Sequence, residues 1–196
     1  MAEDDAPGWD AIEATVAEHL EIDGEPLHWV TGVLPGQDGV YGVSAYRLPG
    51  LWFFVTFGLT ELYEKESDDA AVSGWGFELT MRTPRADHDP QPPQWPRTLL
   101  VRLGEYVFNR ASPFGPGHRL DPGGPITGTP DTRLTAVAFT ADPQLPSIKT
   151  PNGSLDFLQV VGITADELER MQESSTAEVL QELAVQSPDL VTHPAR

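Results

Sequence analysis

The sequence predicts an α+β fold, in which amphipathic helices pack against a sheet whose first strands form an antiparallel meander. Residues 73–82 alternate apolar with small or polar side chains, a period of two that is typical of a strand with one buried face. Residues 95–109 repeat apolar side chains every four positions, which predicts a long amphipathic helix. Short turns at 34–40 and 48–50 favour antiparallel pairing of the strands they connect.

The N-terminal segment predicts one helix and two strands. The helix covers residues 10–20, with Asp10 as its cap and Glu13 in the capping-box position. Its apolar face repeats every four residues, at Ile12, Val16 and Leu20. Strands are predicted at 27–30 and 41–46, separated by a turn over the Pro-Gly-Gln-Asp-Gly sequence of residues 35–39.

Two strands joined by a charged loop are predicted next. The first lies in the run from Trp52 to Tyr63, and its bulky side chains on both faces favour a central position covered on both sides. In the second, one face carries Trp75, Phe77, Leu79 and Met81. The opposite face carries Gly76, Glu78, Thr80 and Arg82 and is predicted to be the one that is not buried.

The C-terminal half predicts one long helix, further strands and two final helices. A proline-rich linker at 84–94 precedes the helix, and Pro96 fits its first turn. Residues 112–133 are rich in Gly and Pro and are predicted to be mostly irregular. Strands follow at 134–140, at Ile148 and at 155–161. The last two helices each begin with a capping box, formed by Thr164 with Glu167 and by Ser175 with Glu178.

Length and composition predict one domain over residues 1–196. A chain of this size buries enough surface to be stable without disulfides or metals. It has no cysteine, which excludes disulfides, thiolate nucleophiles and cysteine zinc sites. The acidic N-terminus has no apolar run behind it, so we expect no signal peptide. No stretch approaches the ~20 apolar residues that span a bilayer, and a soluble, cytoplasmic protein is predicted.

The net charge of −18 bears on the class of partner. Only 12 Lys and Arg residues stand against 30 acids, and no basic stripe is present that could follow a phosphate backbone. The sequence therefore predicts no nucleic-acid binding. A strongly acidic surface favours basic protein partners and speeds their encounter. The alternative is that the acidity serves solubility alone.

Short sequence motifs, which occur in the same order across nearly the whole chain, resemble those of the suppressor of fused domain in its short bacterial form. The most distinctive is Ser-Gly-Trp-Gly-Phe-Glu-Leu-Thr at 73–80. The others lie at 42–47, 52–63, 93–96, 105–108, 142–145, 150–153 and 157–168. The resemblance implies an α/β fold of the α+β type, with a mixed, mainly antiparallel sheet flanked by helices. The tail at 191–196 departs from the family pattern, which is Val-Thr-Asp followed by basic residues.

The resemblance also implies a function in protein binding. Animal members resemble two-domain inhibitors that hold Gli zinc-finger transcription factors inactive, with an extended partner peptide pairing with strand edges between the domains. This chain resembles only the first of those domains, so that binding mode cannot be transferred whole. Bacterial relatives are identified as immunity proteins that neutralise a toxin encoded beside them.

The chain shows no pattern typical of an enzyme, and we predict neither activity, cofactor nor metal. The histidines at 19, 28, 88, 118 and 193 include no pair at the spacing of a helical metal site. No serine stands in a Gly-x-Ser-x-Gly elbow, and Gly74-Trp-Gly76 is too short for a phosphate cradle. The remaining enzymatic alternatives are carboxylate pairs, Glu61 with Glu64 or Asp68 with Asp69, and a ligand site among Glu61, Glu64 and His118.

The candidate binding site is the loop at 63–73, which is longer and more charged than an ordinary hairpin turn. Its predicted partner-binding residues are Glu61, Tyr63, Glu64, Glu66, Asp68 and Asp69. Tyr63 and Trp75 flank the acids as candidate aromatic anchors, although Trp75 also begins the apolar face of its strand. The alternative is a disordered, solvated loop with both aromatic residues in the core.

These patterns lead to two functional hypotheses. In the first, the chain covers a toxin domain that has a basic surface and thereby neutralises it, as an immunity protein of a polymorphic toxin system. In the second, it is a regulator or scaffold that sequesters an endogenous protein. The first relies on acidic loop residues for steering and on an exposed sheet edge or aromatic groove for affinity.

Overall fold

The computed structural model describes residues 5–34, 37–86 and 89–196, and within them one mixed eight-stranded sheet is flanked by four helices. In chain order the elements are α1 (Pro7–His19), β1 (Leu27–Val30), β2 (Gly42–Leu48), β3 (Leu51–Phe57), β4 (Val72–Pro84), α2 (Gln94–Arg110), β5 (Arg119–Leu120), β6 (Leu134–Ala141), β7 (Ile148–Thr150), β8 (Gly153–Thr164), α3 (Ala165–Glu173) and α4 (Thr176–Gln186). No helix in the described part of the chain is long and apolar enough to cross a bilayer.

The sheet confirms the predicted fold class. Its strand order is β1-β2-β3-β4-β8-β6-β5, and β7 pairs with β8 beside this path. The first four strands form the expected antiparallel meander. β4 then pairs in parallel with β8, which makes the sheet mixed. One sheet thus joins elements from both halves of the chain, and the division into a single domain over residues 1–196 stays a prediction.

Helices cover both faces of the sheet. Leu99, Leu100 and Leu103 of α2 pack on one face in a common apolar cluster with Trp52 and Phe54 of β3. The other face is covered at one end by α1 and at the other end by α3 and α4, which pack on β6 and β8. This double coverage leaves the central strands without a solvent-exposed face.

β3 is central, as predicted from its bulky residues. Trp52 and Phe54 lie in the cluster beneath α2, while Phe53, Val55 and Phe57 lie in the cluster beneath α1. The strand ends at Phe57, however, so the expectation that it extends to Tyr63 is wrong for residues 58–63. The chain turns away at Gly58, whose φ of +114° favours glycine.

The predicted exposure of one β4 face is also wrong. Glu78, Thr80 and Arg82 are all fully buried. The guanidinium of Arg82 donates to both carboxylate oxygens of Asp142, at 2.8 and 2.9 Å, and the Thr80 hydroxyl donates to the same carboxylate at 2.7 Å. Arg82 also lies over the Phe53 ring, 4.9 Å from its centroid. The side chains of β4 do alternate between two faces. The polar face is not exposed to solvent, because the connection after β6 packs on it.

α1 begins earlier than predicted. It starts at Pro7 with Ala6 as the N-cap, and no side chain caps it, so the prediction that Asp10 and Glu13 form its cap is wrong. The proline accounts for the earlier start, because its fixed φ suits the first turn of a helix. The buried positions Ile12, Val16 and Leu20 are confirmed.

The other predicted helices are confirmed. α2 begins at Gln94 with Pro96 in its first turn, and its buried stripe includes Leu99, Leu103 and Val107. Thr164 and Glu167 form the reciprocal capping box of α3, whereas Ser175 accepts the backbone N–H of Glu178 in the first half of the same motif. The turn residues Pro35 and Gly36, and Asp87 and His88 of the linker, lie outside the described residues.

The C-terminal segment after α4 completes the sheet. The parallel pairing of β4 with β8 ends at Thr80 and Gln159. Beyond that point, the backbone N–H of Thr192 donates to the Arg82 carbonyl at 2.9 Å, and the Thr192 hydroxyl accepts the N–H of Gly162 at 3.0 Å. The divergent tail therefore links the two strands where their own ladder stops.

Candidate protein-binding site

A groove of about 410 Å³ opens between the segment after β3 and the segment before β2, and we call it the acidic groove. Its aromatic lining residues are Tyr41, Tyr63, Trp75 and Phe108. Its acidic lining residues are Asp38, Glu61, Glu64 and Glu66. The groove thus combines apolar rings with carboxylates, the two features that the sequence predicts for a binding site at this loop.

Glu78 of β4 fixes the segment that forms one wall of the acidic groove. Its Oε1 accepts the backbone N–H of Gly58 at 3.0 Å, and both the N–H and the hydroxyl of Thr60, at 2.9 and 2.7 Å. Its Oε2 accepts the Thr56 hydroxyl at 2.6 Å. Burial raises the pKa of Glu78 to about 7 against the opposing effect of these four hydrogen bonds.

Glu61 organises the acidic loop from within. Its carboxylate accepts the Lys65 ammonium at 2.8 Å and the backbone N–H groups of Glu66 and Ser67 at 2.9 and 2.5 Å. Partial burial raises the pKa of Glu61, but the hydrogen bonds from Lys65, Ser67 and Glu66 together outweigh it and lower the pKa to about 2. Only 9% of this side chain is exposed, so most of its bonding capacity is used inside the protein.

Polar side chains from other elements hold the same loop. Asn152, in the turn between β7 and β8, donates its amide to the Glu61 carbonyl at 2.9 Å. The Ser73 hydroxyl accepts the Glu61 N–H at 2.9 Å, and the Lys65 ammonium donates to the Val72 carbonyl at 2.5 Å. Hydrogen bonds therefore order the loop in this structure, in contrast to the alternative of a disordered, solvated loop.

The predicted site residues occupy three kinds of position. Glu64 and Glu66 are exposed at the acidic groove, and Tyr63 is half-buried there with its ring 6.2 Å from that of Tyr41. Asp68 and Asp69 are exposed in the loop but do not line the groove. Glu61 lines the groove while bonded internally. The assignment of these six residues to partner binding stays a prediction.

Trp75 is packed in the fold and also faces the acidic groove, while its role as an aromatic anchor stays a prediction. It is half-buried, packs edge-on against Phe108 with the ring centroids 5.8 Å apart, and also lines the acidic groove. Its neighbour Gly74 approaches the Leu59–Thr60 backbone so closely that an added Cβ would lie 2.7 Å from the Leu59 carbonyl oxygen. This close approach sets Trp75 against the groove wall.

Glu78, Ser73 and Asn152 support the groove but are not among the residues predicted for the site. One signal was available for Glu78: a carboxylate between Phe77 and Leu79 in a strand beside the most apolar strand of the chain. Such a group, if buried, needs hydrogen-bond donors. The neighbouring strand offers Thr56 near its end, and Thr60 follows shortly after it. No local pattern identifies Asn152, because its partner lies 91 residues away.

A serine, a histidine and a glutamate meet at another place in the fold. His28 Nδ1 lies 2.6 Å from the Ser44 hydroxyl, and its Nε2 lies 3.6 Å from a Glu13 carboxylate oxygen. Ser44 is only 1% exposed and lies within β2, between β1 and β3. A substrate carbonyl has no approach to that hydroxyl, so this contact links α1 to the sheet.

The structure does not bring His118 to the acidic residues with which it was considered as a ligand site. Glu61 and Glu64 line the acidic groove, whereas His118 lines a separate depression beside Tyr106 and Phe114. Within residues 5–34, 37–86 and 89–196, no three His, Asp or Glu side chains are grouped as metal ligands would be.

Comparison with known proteins identifies the family. The sequence profile of the suppressor of fused protein family (SUFU) matches residues 36–196. The chain is 33% identical over 153 residues to the suppressor of fused homologues of Mus musculus and Homo sapiens. The match covers 71% of this chain but 31% of those proteins, so the chain spans about a third of the length of the curated relatives.

Solved structures show the same fold. A chain in a crystal structure of a Sufu–Fu complex is similar with a TM-score of 0.88 and 30% identity, covering 98% of this chain and 91% of that one. Drosophila Suppressor of Fused is similar with a TM-score of 0.85 and 28% identity, covering all of this chain and 51% of that one.

A bacterial structure shares the fold at lower identity. The putative suppressor of fused homologue from Neisseria gonorrhoeae FA 1090 has a TM-score of 0.61 at 12% identity, and the similarity covers 94% of this chain and 91% of that one. This likeness concerns the fold alone. Taken with the profile match over most of the sequence, these similarities show that the chain belongs to the suppressor of fused family.

Proposed function

We propose that this chain is a non-enzymatic, cytoplasmic protein-binding domain that neutralises a cognate toxin by covering its functional surface. The observation that carries the proposal is the acidic groove, where aromatic rings and exposed carboxylates share one concave surface. A relative was crystallised as a Sufu–Fu complex, which supports protein binding as the mode of action. The proposal includes no nucleic-acid or membrane partner.

The acidic residues attract the partner and the aromatic residues retain it. Glu64, Glu66, Asp68 and Asp69 are exposed, and their charge accelerates the approach of a basic surface over about one Debye length, roughly 8 Å at physiological salt. Tyr41, Tyr63 and Trp75 are half-buried and offer rigid apolar contacts at little cost in conformational entropy. Glu61 contributes to binding by holding the loop in place, rather than by direct contact with the partner.

Coexpression tests the toxin hypothesis. The product of the gene beside this one is expressed in a sensitive host, alone and together with this chain. We expect growth arrest by the neighbouring protein alone and rescue by coexpression, with the two proteins purifying as one complex. A toxic neighbour that kills despite abundant folded chain would contradict the proposal.

A second candidate is a regulator or scaffold that sequesters an endogenous partner. The Sufu–Fu complex of the relative favours it, because that complex pairs a suppressor of fused protein with Fu rather than with a toxin. Affinity purification from the source cell, followed by mass spectrometry, distinguishes the two. A stoichiometric housekeeping partner whose binding is lost in the Glu64→Lys/Glu66→Lys variant supports the regulator, and a secreted toxin supports the first proposal.

A further inference from the structure

A second groove, which we call the α2 groove, runs between α2 and the Gly- and Pro-rich segment 120–128. Its volume is about 850 Å³. The helical wall is formed by side chains four residues apart, which lie on one face of the helix: Gln94, Thr98, Arg102 and Tyr106. The floor is apolar and includes Trp95, Leu99 and Leu103. A neighbouring depression of about 410 Å³ shares Tyr106 and Leu120 and extends the groove to Arg119.

The charge of this region is opposite to that of the rest of the chain. Residues 94–133 carry five arginines, Arg97, Arg102, Arg110, Arg119 and Arg133. They carry three acids, Glu105, Asp121 and Asp131, and so have a formal charge of +2. Because the whole chain carries −18, the remaining residues carry −20. Of the charged residues in 94–133, Arg102 and Asp121 line the α2 groove and Arg119 lines the neighbouring depression, so the lining has a formal charge of +1, which on so acidic a protein favours a partner segment of negative charge.

The arginines of the α2 groove are available to such a partner. Arg102 is exposed, and no carboxylate oxygen of the described residues lies within 4.0 Å of its guanidinium. Arg119 is also exposed and donates to the neutral hydroxyl of Thr176 at 3.2 Å. By contrast, Arg133 lies 3.5 Å from the Asp166 carboxylate. Two planar cations with spare donors thus flank an aromatic wall at Tyr106, a combination suited to carboxylates beside apolar side chains.

We propose that the α2 groove is a second docking site, distinct from the acidic groove, and that it binds an acidic segment of a protein partner. The wall from Gln94 to Tyr106 is about 18 Å long at 1.5 Å per helical residue. That length accommodates about five residues of extended chain at 3.3 Å each. Carboxylates of the segment bind Arg102 and Arg119, an apolar side chain between them packs on Tyr106, and a second apolar side chain packs on Trp95, beyond Arg102.

Selection from a phage-displayed library of random 12-residue peptides tests the proposal. We expect the selected peptides to be enriched in Asp and Glu next to an aromatic or aliphatic residue. Their affinity should fall about tenfold or more in Arg102→Glu, because charge-assisted hydrogen bonds are lost and like charges face each other. The matched control is Arg133→Glu, an exposed arginine that does not line the groove, and it should change the affinity less than twofold.

Each other outcome overturns the proposal. Enrichment of uncharged or basic peptides, or no enrichment at all, removes the acidic occupant. If Arg102→Glu and Arg133→Glu reduce the peptide affinity equally, the peptides respond to the net charge of the protein and do not bind in the α2 groove. A dimer that light scattering detects in the wild type and not in Arg102→Glu shows that a second copy of this chain occupies the groove. The Glu64→Lys/Glu66→Lys variant keeps the two grooves distinguishable, because it should leave binding of these peptides intact.

Discussion

Glu78 shows how one buried carboxyl supports a binding surface. Its Oε1 holds the Gly58–Thr60 backbone and its Oε2 faces only the Thr56 hydroxyl. That hydroxyl also lies 3.5 Å from the Leu79 carbonyl oxygen. When Oε2 is protonated it can donate to Thr56, whose own proton then turns to Leu79, so the hydrogen bonds to Oε1 remain. The neutral acid is thus compatible with the groove wall, in accordance with the raised pKa of Glu78.

Glu78 should make the protein more stable below neutral pH. Its pKa rises from 4.5 to about 7 on folding, so between these values the folded state binds more protons than the unfolded state. The free energy of unfolding then decreases as pH rises through this window, by about 3 kcal/mol for a shift of this size. We expect urea unfolding to show this loss between pH 5 and pH 8 in the wild type. The loss should largely vanish in Glu78→Gln, and an identical loss in that variant would refute the assignment.

Glu61 should act on the loop in the opposite pH range. Its pKa falls from 4.5 to about 2 on folding, so its stabilising effect is complete above about 4.5 and is lost as pH decreases toward 2. At neutral pH, Glu61→Gln should lower the melting temperature and speed hydrogen exchange over residues 62–73, because the charge-assisted bonds weaken. Glu64→Gln is the matched control in the same groove and should change neither. Equal exchange rates in both variants would show that Glu61 does not organise the loop.

At the scale of elements, the ion pair between β4 and the β6–β7 connection joins segments 60 residues apart. Both side chains are fully buried, so removing one partner leaves an uncompensated charge in the core. Asp142→Asn should therefore lower the free energy of unfolding by about 3–5 kcal/mol, whereas Arg82→Met combined with Asp142→Leu should cost less than that single substitution. Chemical unfolding of the three proteins measures both values.

The exposed pair Arg170 and Glu182 provides the comparison for that experiment. Both side chains are largely in solvent, where the Coulomb attraction is screened and ordering the side chains offsets it. Glu182→Gln should leave the unfolding curve unchanged. If Asp142→Asn also leaves the free energy of unfolding unchanged, the buried ion pair does not hold β4 to the β6–β7 connection.

Charge is distributed unevenly over the whole molecule, with an acidic groove at one place and a region of positive formal charge, residues 94–133, at another. Reversing Glu64, Glu66, Asp68 and Asp69 to lysine should slow association with a basic partner at low salt, because long-range attraction is removed. The melting temperature should stay nearly unchanged, since all four side chains are exposed. Stopped-flow association at low and high salt measures the effect. An on-rate at low salt that does not change would exclude steering by this loop.

Sequence periodicity predicted much of the fold. The strand β1, the long helix α2, the buried face of α1 and the capping box of α3 follow from local spacing, because those elements depend on residues within a few positions of each other. The sequence motifs that resemble the family predicted that these elements form a mixed sheet flanked by helices. The position and acidity of the candidate loop also follow from the sequence, although its role in binding stays a prediction.

Only the tertiary structure decided which polar groups are buried and which acidic side chains are hydrogen-bonded inside the protein. Alternation in β4 shows that two faces exist, but Asp142 and the connection after β6, distant in sequence, determine that its polar face is covered. The same holds for the loop at Glu61, whose backbone carbonyl accepts the side-chain amide of Asn152 from a turn 91 residues away. Burial and hydrogen bonding depend on segments that meet in space, and a local pattern carries no information about them.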